Sequence, residues 1–227
     1  MKKISKRGMV FLGLFTVLAL VGMNINFSPL VGAENQFFTL FQFFGPIAGG
    51  FLGVFGVLAV AVAQLINFVA VGKEITIVNL ARLLPMLFAA YYFSQYKKQK
   101  LNDRLSIAVP VLAMLAFWLH PVGREAWYFA LFWTIPLIVK FLPDRLVFRS
   151  LGSTFTAHAV GGALWAWTVP MTAAQWNFLI PIVAYERILF TAGIAVSYIV
   201  FTNVLNALDK ATQISPFVNI EKRYVLG

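Results

Sequence analysis

Cysteine is absent from the 227 residues, so neither a disulfide nor a thiolate metal site can form. Histidine is almost absent as well. His120 and His158 are the only two, which leaves little for a His-based metal site, and no second histidine or carboxylate stands at a metal-ligand spacing from His158, so no metal and no cofactor is expected. Charge is scarce: 11% of residues are Asp, Glu, Lys or Arg, against about a quarter in soluble proteins. The chain carries no Gly-rich loop ending in Gly-Lys-Ser or Gly-Lys-Thr, so ATP hydrolysis by a phosphate loop of its own is excluded. No serine-nucleophile motif is present either.

What fills the chain instead is apolar: 60% hydrophobic residues and a mean hydropathy of +0.82. Apolar runs fall at about 8–25, 36–71, 77–96, 105–120, 125–142, 152–170 and 178–206. A membrane span needs roughly 20 helical residues. The net charge of +10 comes from Lys and Arg clustered between these runs. That is the positive-inside pattern rather than a phosphate-binding face, so no nucleic-acid partner is expected. The fold class predicted is all-α, a polytopic helical bundle in the cell membrane with six to eight spans, built as one domain over 1–227.

Charge also sets the threading. The basic clusters are residues 1–7, Lys97-Lys98-Gln99-Lys100 with Arg104, Arg145 to Arg149, and the tail with Lys210, Lys222 and Arg223. As one straight helix, 36–71 would reach about 54 Å, too long for a single crossing. If it crosses twice, all four clusters and both termini are cytoplasmic. The expected break is at Gly45-Pro46 or at Gly49-Gly50, because proline lacks an N–H and constrains the residue before it. The first arm is then a half-depth segment continued by irregular chain from Asn26, which must border protein or a water-lined cavity. At the N-terminus, Lys2, Lys3, Lys6 and Arg7 precede an apolar run, and Val31-Gly32-Ala33 follows, as in a secretory signal. A retained first span is the reading adopted. Either choice leaves Glu34 outside.

This threading puts Gln64, Asn67, Asn79, Arg82, Glu186 and Arg187 in the outer half of the membrane. Ionisable groups cost roughly 2.5–3.5 kcal/mol each there on insertion scales and by default face a protein interior or watery cavity. Arg82 follows Asn79 by three residues, so both share a helix face. It is suited to a carboxylate or phosphate, or else it snorkels to headgroups. Gln64 and Asn67 repeat the spacing and could equally bond across helices. Glu186 and Arg187 point about 100° apart on a helix, so one is expected on the cavity and the other on a neighbouring helix, unless they form a structural ion pair. Trp165 and Trp176 either belong to an interfacial aromatic belt or stack on a planar ligand. His158, read as lying nearer the cytoplasmic half, is a proton relay or a packing histidine. Gly45, Gly49 and Gly53, with Gly161 and Gly162, have the spacing of close helix contacts, internal or with a partner.

The run Phe44-Gly45-Pro46-Ile47-Ala48-Gly49-Gly50 resembles the Gly-Pro turn between the second and third helices of substrate-binding S components of energy-coupling factor transporters. His158 to Gly162, then Pro170, Trp176, Pro181 and Glu186-Arg187, is similar to their last two helices, so the resemblance covers roughly 36–70 and 151–206. S components usually have six helices, and the 105–142 hairpin is extra to that pattern. Gly8, Gly13, Ala19 and Gly22 lack the four-residue spacing of their first helix. The resemblance implies a non-enzymatic subunit that binds a vitamin-like micronutrient and works with a transmembrane coupling subunit and two cytoplasmic ATPases. The candidate site is Gln64, Asn67, Asn79, Arg82, Trp165, Trp176, Glu186 and Arg187, with Glu34 to Gln36 in a lid. Arg82 would clamp an anionic group. Two other readings stand beside it: a membrane assembly or scaffold protein, and an intramembrane enzyme using His158 and Glu186 on a lipid or peptide.

Overall fold

The computed structural model describes residues 6–32, 34–96, 103–212 and 218–226. Lys2 and Lys3, Ala33 and the cluster at residues 97–100 lie outside them. Helix accounts for 76% of the structure, and the only strands among the described residues are four and three residues long, so the fold is all-α. The helices are α1 (Lys6–Met23), α2 (Ile47–Leu52), α3 (Val54–Ala70), α4 (Ile77–Ala81), α5 (Leu84–Gln95), α6 (Arg104–Leu119), α7 (Pro121–Glu125), α8 (Ile135–Val139), α9 (Leu146–Thr168) and α10 (Ala173–Thr212). Strands β1 (Asn26–Pro29) and β2 (Phe37–Thr39) form an antiparallel hairpin between α1 and α2, with Ser28 opposite Phe38. The segment expected to be irregular is thus ordered. Gly32 and Asn35 take the positive φ values (90° and 55°) that reverse the chain between the strands.

The stretch after Glu34 does fold back on itself, but not where the Gly-Pro cue put the break. Pro46 has φ −63° and ψ −28° and caps the start of α2, where a missing N–H costs nothing. Gly49 and Gly50 continue that helix. The reversal is at Gly53, whose φ of 60° and ψ of −134° would strain any residue with a Cβ. A Cβ at Gly53 would meet no other side chain or backbone, so within this chain its glycine is required by the turn rather than by close packing. Contact is made on either side of it. A Cβ on Gly49 would strike the carbonyl of Ala90 in α5, and one on Gly56 the carbonyl of Ala48 in α2. Gly45 faces Met86 and Phe41, and Gly162 faces Trp133.

Local signals set the other boundaries. In a capping box that starts α10, the Thr172 N–H donates to Gln175 Oε1 and the Gln175 N–H donates to Thr172 Oγ1. Asp103 caps α6 by accepting from the Ser106 N–H. Helix α9 is central, packed on α5, α6, α8 and α10, and Ser153 Oγ donates to the Ala89 carbonyl to tie it to α5. The arm returning from α6 is not one helix: α7, a 3₁₀ run over Trp127–Thr134 and α8 succeed one another.

At one end of the bundle the tail is clamped. Asn219 N–H donates to the Phe51 carbonyl, and Arg149, 1% exposed, bonds to Glu221 at 2.7 Å and Asp144 at 3.2 Å. Tyr198 Oη donates to Glu221 at 2.6 Å. Among the described residues, Ile77–Gln95 and Ala173–Leu208 are apolar and long enough to cross a membrane, while Val54–Ala70 and Arg104–Leu119 are shorter apolar helices.

Candidate binding site

The opposite end of the bundle holds a cavity of about 480 Å³, within the usual range for small-molecule sites. Its walls are the β-hairpin, the end of α3, the α4–α5 junction, the later half of α9 and the early turns of α10. Gln64, Asn67, Asn79, Arg82, Trp165, Trp176, Glu186 and Arg187 all line it, together with Gly161 and Gly162. Glu34 does not. It is exposed beyond the hairpin strands, and Gln36 lines the cavity instead.

The amides are held between elements. Gln64 Nε2 donates to the Leu83 carbonyl at 2.9 Å, tying α3 to the α4–α5 turn. Asn67 Oδ1 accepts from Asn24 at 2.8 Å, tying α3 to the end of α1. Arg82 Nη1 donates to Asn79 Oδ1 at 3.3 Å, as their shared helix face implies, and its guanidinium lies 5.4 Å from the Trp165 ring centre. That ring is therefore already covered by a cation, while its Nε1 donates to the Val31 carbonyl in the hairpin. Trp176 is 2% exposed and packs edge-on against Phe117 and Phe129. Arg82 thus occupies one face of Trp165, and Trp176 is packed within the aromatic cluster at the cavity wall.

Glu186 and Arg187 depart from the helical-wheel expectation. Both line the cavity, although their Cβ directions differ by about 100°. The long arginine side chain closes that angle, bringing Nη2 to 3.5 Å from Glu186 Oε2. Glu186 Oε1 accepts from Ser28 Oγ at 2.9 Å, which ties the hairpin to α10. Arg187 is 2% exposed, 4.7 Å from the ring centres of both Phe38 and Phe190, and its Nε and Nη2 find no hydrogen-bond acceptor in the protein.

His158 is the residue that sequence reasoning left outside the site. It lines the cavity, and its Nδ1 accepts from Trp133 Nε1 at 3.1 Å. Nε2 then carries the imidazole proton in the neutral ring. Its position near the middle of α9 means the cavity reaches to about the mid-level of that helix. The signal available was His158-Ala159-Val160-Gly161, which puts His158 about one turn from Gly161, another lining residue. Ser28 and Phe38 could be found only through the hairpin pairing. Among the described residues no three His, Asp or Glu side chains gather as metal ligands.

No family model matches the chain, and neither does any curated protein or solved structure.

Proposed function

We propose that this chain is a multi-pass cell-membrane subunit that binds a small water-soluble micronutrient from outside, for uptake driven by partner ATPases through a transmembrane coupling subunit. Both termini and the clamped tail lie in the cytoplasm, and the cavity opens outward beneath the β-hairpin. One observation carries the reading: eight polar or aromatic residues from α3, the α4–α5 junction, α9 and α10 converge on a single cavity under an ordered cap.

Charge placement supports the orientation. Arg104, Lys140, Arg145, Arg149, Lys222 and Arg223 belong to the end away from the cavity, whereas the cavity end carries Lys73 and Arg124, each beside a glutamate in sequence, and Arg82 and Arg187 in the cavity lining itself. The shorter helices fit a bundle whose long members, α5 with α4 and α10, set the span. Lipid covers the exposed Leu, Val, Ile and Phe side chains of α1 and α3.

The test is native mass spectrometry of gently purified protein. A co-purifying small molecule is expected, with its occupancy falling at least about tenfold in Arg82→Ala. Unchanged occupancy in that variant would remove Arg82 from the site, and a protein free of any bound molecule, inactive in uptake assays, would remove the function.

A further inference from the structure

We propose that the ligand is a small organic anion, a carboxylate on an apolar body, and that Arg187 is the residue that recognises it. This deepens, and rests on, the binding function above. The cavity's charged lining is unbalanced: Lys73, Arg82 and Arg187 face one carboxylate, Glu186. That carboxylate already accepts from Ser28 through Oε1.

Arg82 donates through Nη1 to Asn79 and covers the face of Trp165, leaving Nε without a partner in a half-buried side chain. Arg187 is answered less well for its depth. It is withdrawn from solvent, its Nη2 stands 3.5 Å from Glu186 Oε2 in a long ion pair, and its Nε has no acceptor in the protein. A buried cation left this way carries a desolvation penalty that a hydrogen-bonded anion would offset. Phe38 and Phe190 hold the guanidinium plane without neutralising it. Nε and Nη2 form the side-on fork that matches the two oxygens of a carboxylate. His158 Nε2–H adds a neutral donor on the same lining, suited to an acceptor rather than to a cation. Phe68, Phe129, Leu179, Ile182 and Val183 give the same cavity an apolar stretch of wall. It favours a carboxylate with a hydrocarbon or aromatic body over inorganic phosphate or a multiply charged ion.

The experiment uses defined probes on the full chain in detergent: 4-phenylbutyrate, its neutral primary amide, and inorganic phosphate, each at 10 mM, read by thermal unfolding. The carboxylate is expected to raise Tm by at least about 2 °C while the amide and phosphate do not. Arg187→Gln is expected to abolish that rise and Arg187→Lys to keep part of it, since Lys retains the charge without the fork. Equal protection by acid and amide, or none by either, overturns the proposal on the wild-type protein alone, whether or not the variants fold. Persistence of the rise in a folded Arg187→Gln overturns the assignment of the residue. Failure of the underlying function looks different. Carboxylate binding that depends on Arg187, without accumulation of a bound compound in cells, would leave the anion site standing and remove uptake. A neutral co-purified ligand lost in Arg82→Ala would do the reverse.

Discussion

At the scale of single residues, two buried charge clusters fix the end of the bundle away from the cavity. Arg149 reaches both Glu221 and Asp144, and its guanidinium sits 5.1 Å from the Phe93 ring centre and 5.5 Å from that of Tyr198. Arg149→Ala would remove the closest cation from the buried Glu221 carboxylate, which also meets Arg223 and Tyr198. A loss of about 3 kcal/mol is expected, measured by thermal or denaturant unfolding in detergent. The second cluster is Asp103, which accepts from Lys140 at 3.0 Å and from the Ser106 N–H. Burial pushes its carboxyl up, but the hydrogen bonds from Ser106 and Lys140 and the lysine charge outweigh that and hold it below the ordinary value. Its contribution is therefore complete above the unfolded-state pKa of about 4 and fades as pH falls through the lower folded value. Stability measured between pH 6 and pH 3 should drop less steeply in Asp103→Asn than in the wild type. An identical slope would show that Asp103 does not titrate with folding.

Among helices and hairpins, close packing depends on which glycines meet backbone. Gly49→Ala would push a methyl into the rigid Ala90 carbonyl and is expected to cost about 1–3 kcal/mol. Gly13→Ala meets nothing and should be neutral or stabilising by up to about 1 kcal/mol, its helix propensity alone. Comparing the Tm of the two variants checks the assignment. Helix content was legible from the apolar runs, and the fold-back after Glu34 from length and charge. Its position was not: a Gly-Pro pair reads equally well as a helix start, and only the backbone angles single out Gly53. The β-hairpin was missed because its strands are short and interrupted by a register shift between Asn26 and Ser28. Cavity residues were legible where polar groups recur on one helix face, as in Asn79 and Arg82. Arg187, Trp165 and Trp176 were legible as lining residues but their contacts were not, since these depend on side-chain length and on which rings pack together, and His158 was missed because its place in the cavity depends on the cavity's depth.

For the whole molecule, the fold-back at Gly53 sets which side everything faces. Because the chain reverses there, α3 returns Gln64 and Asn67 to the cavity that Arg82 and Glu186 also line, while Arg149 and Arg223 gather with Asp144 and Glu221 at the other end. Since the natural chain has no cysteine, single cysteines placed at the exposed positions Lys73 and Arg145 report on the two ends without interference. Labelling with a membrane-impermeant maleimide in intact cells should modify Lys73→Cys at once and Arg145→Cys only after permeabilisation. Modification of both from the same side, or in the opposite order, would contradict an outward-facing cavity.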